Sequence, residues 1–422
     1  MRHVILGAGP AGVIAAETIR KYAANDEIVI VGDEPEPSYS RMAIPYLLMG
    51  HIGEAGTQLR HGAGHFEKLR IDVRRARATE VDIEQRCVKL TDGGPLAFDQ
   101  LLIATGSSPV RPPVPGIALA GVHPCWTLKD ARAIMQLAVK GARVLQMGAG
   151  FIGCIIMESL AARGVQLTVV EMGDRMVPRM MGPTAGGMIR AWCEARGVTV
   201  YTGTRVESIE AQAPLSVRLS NGSHVPADLV ISATGVQPNI GFLETSGITC
   251  LQGVLTDEHM QTSVAGIYAA GDCAEALDIA SGKTIVSAIQ PNAAEQAVVA
   301  AMNMVGRKRR LKGVTQINVL DTLGLVSTSF GDWRGVPGGQ HVELTDRSAD
   351  GGKGRHLSLH FDGDVMVGCN SVGWTEHVGV MRGLVEGQVR LGPWKETLLA
   401  DPTRLMEAYL ACAQGQEAHA HV

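Results

Sequence analysis

Two glycine-rich turns carry the chemistry that this chain makes legible: Gly7-Ala8-Gly9-Pro10-Ala11-Gly12 near the start, and Gly148-Ala149-Gly150-Phe151-Ile152-Gly153 further on. Each follows an apolar run and opens a helical one. In such a turn the first glycine permits the sharp bend and the second lets backbone approach a pyrophosphate. The third lets the helix pack close against the strand. The helix N-terminus then offers free N–H groups and its positive dipole end to the phosphates. An acidic residue about 20 positions on should hold ribose hydroxyls. Asp33 stands 21 residues after Gly12, with Glu34 beside it, and Glu171 closes the second stretch. The spacing predicts strands His3–Leu6 and Glu27–Val31 around the first helix, and a strand Gln166–Val170 after the second. Two such βαβ units imply two dinucleotides; a duplication with one degenerate site is the competing reading. The chemistry that uses two dinucleotides in one chain is hydride transfer, with one bound tightly and one exchanging.

Shorter segments must position these turns. Leu101 to Val110 (LLIATGSSPV) and Leu229 to Asn239 (LVISATGVQPN) are each a buried strand ending in Ala-Thr-Gly, with a proline downstream. The stretch GIYAAGDCAE, Gly266 to Glu275, is a strand ending in Gly271-Asp272. Asp272 either accepts hydrogen bonds from a sugar-like chain or caps a helix, and both readings stay open.

Composition bounds the rest. At 422 residues and 45% hydrophobic content, the chain has room for two or three α/β domains. Its 38 basic and 42 acidic residues give no overall reason to expect nucleic acid or an anionic membrane as the main partner. The opening MRHVILGAGP enters a strand at once, where a signal peptide needs a charged lead and a longer apolar core. No stretch reaches the roughly 18 apolar residues of a membrane span, and the expectation is a cytoplasmic protein. The eight cysteines are scattered, no two within five residues of each other. That spacing removes C-x-x-C redox pairs and local zinc or iron–sulfur ligand runs, so no metal is expected. The cysteines read as buried thiols in a reducing compartment.

The order of these motifs, from Arg2 to about Gly306, resembles the FAD-dependent pyridine nucleotide-disulfide oxidoreductases. The resemblance implies an α/β fold of two Rossmann-like dinucleotide-binding domains, glutathione-reductase-like, plus a C-terminal α/β domain. It puts the FAD domain at 1–112 and 242–314, the NAD(H) domain at 113–241 and the C-terminal interface domain at 315–422. Gly7, Gly9, Gly12 and Asp33 would hold the ADP half of FAD, with Pro10, Ala11, Glu34 and Ala104-Thr105-Gly106 in the same cradle. Asp272, after Gly271, would hold the ribityl chain. Gln290-Pro291-Asn292, opening a helix, would place N–H groups near the flavin's pyrimidine oxygen, where charge develops on reduction. Gly148, Gly150, Phe151, Ile152, Gly153, Glu171 and Gly235 would take the nicotinamide dinucleotide. Glu171 favours NADH over NADPH, and Arg175 is the one nearby cation that could accommodate a 2′-phosphate.

The stretch SYSRMAIPYL, Ser38 to Leu47, separates the branches of that family. Members with a single reactive cysteine carry it just before a segment like AIPY, and here Met42 stands in that place. A thioether cannot become a thiolate, so thiol chemistry is not expected. The segment instead resembles the branch of ferredoxin, rubredoxin and putidaredoxin reductases, the nitrite reductase flavoprotein and apoptosis-inducing factor. There Arg41 would contact the FAD pyrophosphate. Several members of that branch pair a lysine with a glutamate beside the flavin; the matching positions here are Tyr46 and Ile155. Tyr46 is therefore expected near the isoalloxazine, with slow or partner-dependent reduction by NADH.

The remainder, from Thr315, shows strand-like runs (QINVLDT, GLVSTSF, HLSLHFDG, VMVGCNSVG) and then two helical runs, TEHVGVMRGLVEGQ and PWKETLLADPTRLMEAYLACA. Trp374, between them, reads either as a core residue or as a contact near the flavin. Just before this region, Arg307 to Lys312 (RKRRLK) reads either as a solvated linker or as a docking patch for an acidic electron carrier of ferredoxin or rubredoxin type. Nothing aromatic interleaves with it in sequence, which disfavours nucleic acid. The expected activity is an FAD-dependent NADH oxidoreductase passing electrons to a carrier protein or small acceptor, as a homodimer or within a heteromer. The alternatives are a flavin dehydrogenase subunit oxidising a metabolite in a complex, and an NADH-sensing interaction protein.

Overall fold

The computed structural model describes residues 1–348 and 354–419, with side chains as far as residue 412. The chain forms two compact units, Met1–Pro109 with Val236–Val314, and Val110–Gly235 with Thr315–Val422.

The first unit is built on a five-stranded parallel sheet. Its order is Ile267–Ala269, Gln100–Ile103, Arg2–Leu6, Glu27–Gly32 and Ile71–Arg75. The central strands VIL and IVIV are buried on both faces, as helix-covered parallel strands require. Register is fixed by pairs such as His3↔Ile28 and Leu6↔Val31. The helices Pro10–Tyr22 and Gln290–Met304 pack together through small buried residues, Ala11, Ala15 and Ala16 on one, Ala293, Ala297 and Ala300 on the other. Small side chains let the two backbones approach closely. The first helix starts with Pro10 inside its first turn, where the missing N–H costs nothing, and ends with Arg20 and Lys21 at its negative dipole end. Two small three-stranded sheets, Ala78–Asp82 with Cys87–Leu90 and Leu96–Ala97, and Val254–Leu255 with Ala274–Leu277 and Thr284–Val286, complete the unit. A two-stranded ladder of Ser107–Pro109 with Val236–Pro238 joins its two chain segments.

The second unit repeats the plan. Its parallel sheet runs Thr199–Tyr201, Gln166–Val170, Arg143–Met147, Leu229–Ser232 and Val122–Pro124, with the helix Phe151–Ala162 following the central strand. The same unit holds a five-stranded antiparallel sheet in the order Ile317–Thr322, Leu325–Gly331, Val365–Val372, Arg355–Asp362 and Gln340–Asp346. One face of this sheet buries Phe330, Leu357, Leu359 and Phe361 against Met381 and Leu384 of the helix Val378–Glu386. The other face is polar. Asn370 donates to Met180 O and accepts from Gly182 N, both at 2.9 Å. Trp192 Nε1 donates to Thr322 O at 3.1 Å.

Two features differ from the sequence reading of this region. A fifth strand, Gln340–Asp346, lies at the sheet edge, where mostly exposed polar residues hide its two inward apolar positions. The second helical run is two helices, Trp394–Ala400 and Leu405–His419, because Asp401 is extended ahead of Pro402, which cannot donate to a continuing helix. Trp374 is half-buried against the core of this sheet, with the Arg355 guanidinium 5.4 Å from its ring centre.

Candidate functional site

The two glycine turns are tight everywhere except at one matching position. A Cβ on Gly7, whose φ is +121°, would stand 2.0 Å from Ala104 O, and one on Gly12 1.9 Å from Gly7 O. In the second turn a Cβ on Gly148, φ +95°, would stand 2.4 Å from Ala233 O, and one on Gly153 2.5 Å from Gly148 O. Protein packing therefore explains the outer glycines: the Ala-Thr-Gly segments supply the carbonyls that press on Gly7 and Gly148, and those two glycines supply the carbonyls that press on Gly12 and Gly153. The middle glycines differ: a Cβ on Gly9 or on Gly150 meets nothing within 4 Å. Both have negative φ and extended ψ, so an L-residue would be unstrained there. Each also sits at the N-cap without a side-chain cap, and neither helix has an acidic residue in its first turn. Unpaired N–H groups, a positive dipole end and open space together fit a phosphate at both places.

Around the first turn the polar groups form a series. Asp33 Oδ2 accepts from Arg77 Nε at 2.8 Å, and Asp33, Arg75, Ala76, Arg77, Thr91 and Asp92 line a cavity of about 300 Å³. Glu34 accepts from Arg41 Nη2 at 2.7 Å and from the buried Tyr39 hydroxyl at 2.5 Å. Asp272 follows Gly271, which has φ +85°, and accepts from Ser107 Oγ at 2.8 Å. Burial pushes the Asp272 carboxyl up, while the Ser107 hydrogen bond and the charge of Arg41 pull it back. Arg41 thus faces Glu34 directly and acts on Asp272 electrostatically. A ligand chain passing from the acids to Asp272 would lie beside a cation placed for phosphate.

The helix Gln290–Met304 closes this series. Gln296 is 1% exposed, and its Oε1 accepts from Gly271 N at 2.8 Å, which ties the helix to the strand end that carries Asp272. At the helix start Ile289 is extended and provides no side-chain cap, and no acidic residue lies in the first turn. Ser40 Oγ donates to Gln290 Oε1 at 2.7 Å, so the Ser38-to-Leu47 turn and the helix start are joined. The Asn292 side chain donates to Ser287 Oγ at 2.7 Å, inside the protein. Tyr46 is 53% and Met42 50% exposed on the same turn, whose buried side is formed by Ile44, Leu47 and Leu48.

At the second turn Glu171 is held in place by backbone. Its Oε2 accepts from Ala149 N and its Oε1 from Gly173 N, both at 2.7 Å, so the carboxylate sits against the glycine turn with lone pairs left for hydroxyl donors. Arg175 is engaged by its own loop: Nε donates to Met181 O at 2.9 Å and Nη1 to Asp174 Oδ1 at 2.7 Å. That geometry leaves the arginine poorly placed for a 2′-phosphate, and the neighbouring Met172 is 74% exposed and uncharged. Phe151, Ile152 and Ile155 are half-buried on the helix that the turn opens.

All eight cysteines are free, and burial pushes the thiols of Cys193 and Cys369 up to about 12. Among the described residues no cluster of His, Cys, Asp or Glu is placed to hold a metal. No helix among them is long and apolar enough to cross a membrane. Sequence reasoning missed Ser107, Tyr39, Arg77, Ser40 and Gln296. Ser107 directly follows the Ala-Thr-Gly segment and could have been suspected. The others contact partners far away in sequence or belong to ordinary polar turns.

Residues 1–303 match the family model described as pyridine nucleotide-disulphide oxidoreductase. The chain is 32% identical over 395 residues to a protein named NADH oxidase from Methanocaldococcus jannaschii, covering 88% of each. It is 30% identical over 406 residues to the epsilon subunit of the NADH-dependent phenylglyoxylate dehydrogenase of Aromatoleum evansii, covering 95% of each. Over 273 residues it is 33% identical to the ferredoxin–NAD(+) reductase component of the biphenyl dioxygenase system of Paraburkholderia xenovorans, covering 64% of this chain and 66% of that one.

Proposed function

Since the chain belongs to the pyridine nucleotide-disulphide oxidoreductase family, we propose that it is an FAD-dependent NADH oxidoreductase that delivers electrons to a carrier protein or small acceptor without a redox-active cysteine. Residues 1–112 and 242–314 form the FAD domain, 113–241 the NADH domain and 315–422 the C-terminal domain. The observation that carries this reading is the pair of open positions at Gly9 and Gly150 inside turns that are otherwise closed to a methyl group.

Bound flavin supplies the capacity to accept a hydride from NADH and to release electrons to a second acceptor. The chain's own residues bind and orient. First-turn N–H groups of the helix Pro10–Tyr22, those of Ala11 and Gly12 beyond Pro10, would meet the FAD pyrophosphate, and Arg41 would add a cation. Asp33 and Glu34 receive the adenosine ribose, and Asp272 the ribityl chain. The start of the helix Gln290–Met304 would turn its positive end toward the ring, where negative charge would grow on reduction. Tyr46 would stand near that ring. Glu171 accepts from the adenosine ribose of NADH and repels a 2′-phosphate, which sets the preference for NADH over NADPH. With Met42 in the reactive-cysteine place and all eight cysteines elsewhere in the chain, no protein nucleophile takes part.

For the acceptor, Arg307 to Lys312 offers an ordered cationic edge. Leu311 is buried and anchors it, Arg310 pairs with Glu258 at 3.2 Å, and Arg307 stacks 4.4 Å from the Tyr22 ring centre. Such an edge suits an acidic electron carrier, whose encounter complementary charge would speed. Free cysteines throughout fit a reducing cytoplasm. A second reading has one specific support, the 95% mutual coverage with a dehydrogenase subunit: the chain then exchanges electrons with partner subunits that act on a metabolite. Cofactor released by heating, identified by chromatography, tests the first reading. FAD at one per chain, with NADH and not NADPH binding to the holoprotein on titration, is expected; a colourless protein that binds neither would overturn it.

A further inference from the structure

Val177 holds a backbone conformation that its chemistry disfavours. It is β-branched and precedes Pro178, and both facts favour an extended residue, yet its φ is +50°. Such a conformation persists only where its surroundings enforce it. Val177 is 1% exposed, its N–H donates to Ala149 O at 2.9 Å, and its carbonyl accepts from Met180 N and Met181 N, both at 3.0 Å. Ala149 is the second residue of the second glycine turn, and its own N–H donates to Glu171 Oε2. Both backbone groups of Ala149 are therefore held by the segment 171–177. The Ala149–Gly150 peptide is trans, so a carbonyl fixed toward Val177 turns the Gly150 N–H the opposite way, and that N–H has no hydrogen-bond partner among the described residues.

The far end of this loop is fastened by Asn370, on the strand Val365–Val372 of the antiparallel sheet and 2% exposed. Its Oδ1 accepts from Gly182 N and its Nδ2 donates to Met180 O, both at 2.9 Å. A backbone N–H only donates and a carbonyl only accepts, so these two contacts fix which end of the amide is which. The series of bonds then runs from Asn370 to Met180, from Met180 to Val177, and from Val177 to the glycine turn.

We propose that Asn370 is a positioning residue for the dinucleotide at the second glycine turn: by holding the end of the loop it keeps Val177 in the left-handed conformation that fixes the Ala149–Gly150 peptide for a phosphate. This rests on the NADH reading above and gives the antiparallel sheet a part in it. Without the amide the loop can relax to a conformation that valine prefers. The Val177 N–H then leaves Ala149 O, and the peptide is free to rotate.

The test is titration of the flavin-loaded protein with NADH in wild type, Asn370→Leu and Asn370→Asp, beside flavin content and melting temperature. Asn370→Leu should weaken NADH binding about fivefold to tenfold, the scale of one lost hydrogen bond, at unchanged FAD content. Asn370→Asp should do the same at about pH 8, where the new carboxylate repels Met180 O, and recover toward wild type by about pH 6, because burial raises the pKa of the new carboxyl and its protonated form again offers one donor and one acceptor. A role in packing alone gives no such pH profile. If both variants bind NADH as wild type does at the higher pH, the proposal fails and the NADH reading stands, even where their melting temperatures fall. An Asn370→Asp affinity that stays equally low relative to wild type across this range would also overturn it. If the wild type binds no NADH, both fail.

Discussion

Substituting alanine separately at Gly9 and at Gly12 should divide cofactor binding from folding. At Gly12 the new Cβ would lie 1.9 Å from Gly7 O, whereas real Cβ contacts stay above 3.0 Å, so backbone must give by about 1.1 Å (3.0 − 1.9). Neither atom belongs to a flexible side-chain end. Overpacking of this kind costs roughly 3 kcal/mol, and at roughly 2–4 °C per kcal/mol the transition should fall by about 6–12 °C. At Gly9 the methyl group meets no protein atom within 4 Å, and φ −81° with ψ −172° is open to alanine. A less favourable N-cap costs a few tenths of a kcal/mol up to about 1, and lower entropy of the unfolded chain returns about 0.4–1 kcal/mol. The apoprotein transition should therefore stay within about 3 °C of wild type, while FAD affinity falls at least about tenfold, or ~1.4 kcal/mol, because the methyl occupies the phosphate's place. The assay is thermal melting of flavin-free protein, followed by fluorescence titration with FAD. If Gly9→Ala melts as low as Gly12→Ala, or binds FAD as wild type does, the middle glycine is not there for a ligand.

The same logic applied to Gly150→Ala predicts a protein that keeps its FAD and loses NADH affinity about tenfold or more, read by NADH titration of the holoprotein; loss of FAD instead would reverse the assignment of the two turns. Asp272 is pushed up by burial, so the stability it contributes is full below its unfolded value of about 3.9 and is lost as pH rises through the higher folded value. Asp272→Asn should accordingly raise the melting temperature of the apoprotein at pH 7, leave it unchanged below about pH 4, and weaken FAD retention; equal melting at pH 7 would contradict the burial argument. Replacing Arg309 and Arg310 by alanine should flatten the salt dependence of electron transfer to an acidic carrier, and rates already independent of salt in the wild type would remove the docking role of this edge. Tyr46→Phe and Ile155→Glu should each change the rate of flavin reduction by NADH in rapid mixing; two unchanged rates would remove Tyr46 from the ring's surroundings.

Much of the fold was readable because it is local. Each glycine turn, its flanking strands and its acid fall within some 35 consecutive residues, and the hydrophobic runs of parallel strands leave little ambiguity. The Ala-Thr-Gly segments were legible as strand ends, but their carbonyl contacts with Gly7 and Gly148 are long-range and emerged only in three dimensions. Other features were hidden for definite physical reasons. The edge strand Gln340–Asp346 has a half-buried side reduced to Val342 and Leu344, too few for a period-2 signal. The break at Pro402 stood in plain sight and was overridden by a helical pattern on both sides. Asp33 was expected to face ribose, and the structure shows it bound by Arg77 from a neighbouring loop, a partner that no spacing rule announces. Ser40 and Gln290 lie 250 residues apart, so their contact carries no trace in either local sequence.

The central claim is that NADH reduces a flavin held at the first glycine turn. The direct measurement is anaerobic rapid mixing of the purified holoprotein with NADH, and separately with NADPH, following flavin absorbance. The account predicts bleaching by NADH, with NADPH much less effective because Glu171 would repel a 2′-phosphate. A protein-bound flavin left oxidised by excess NADH over minutes, while dithionite still bleaches it, would contradict the account.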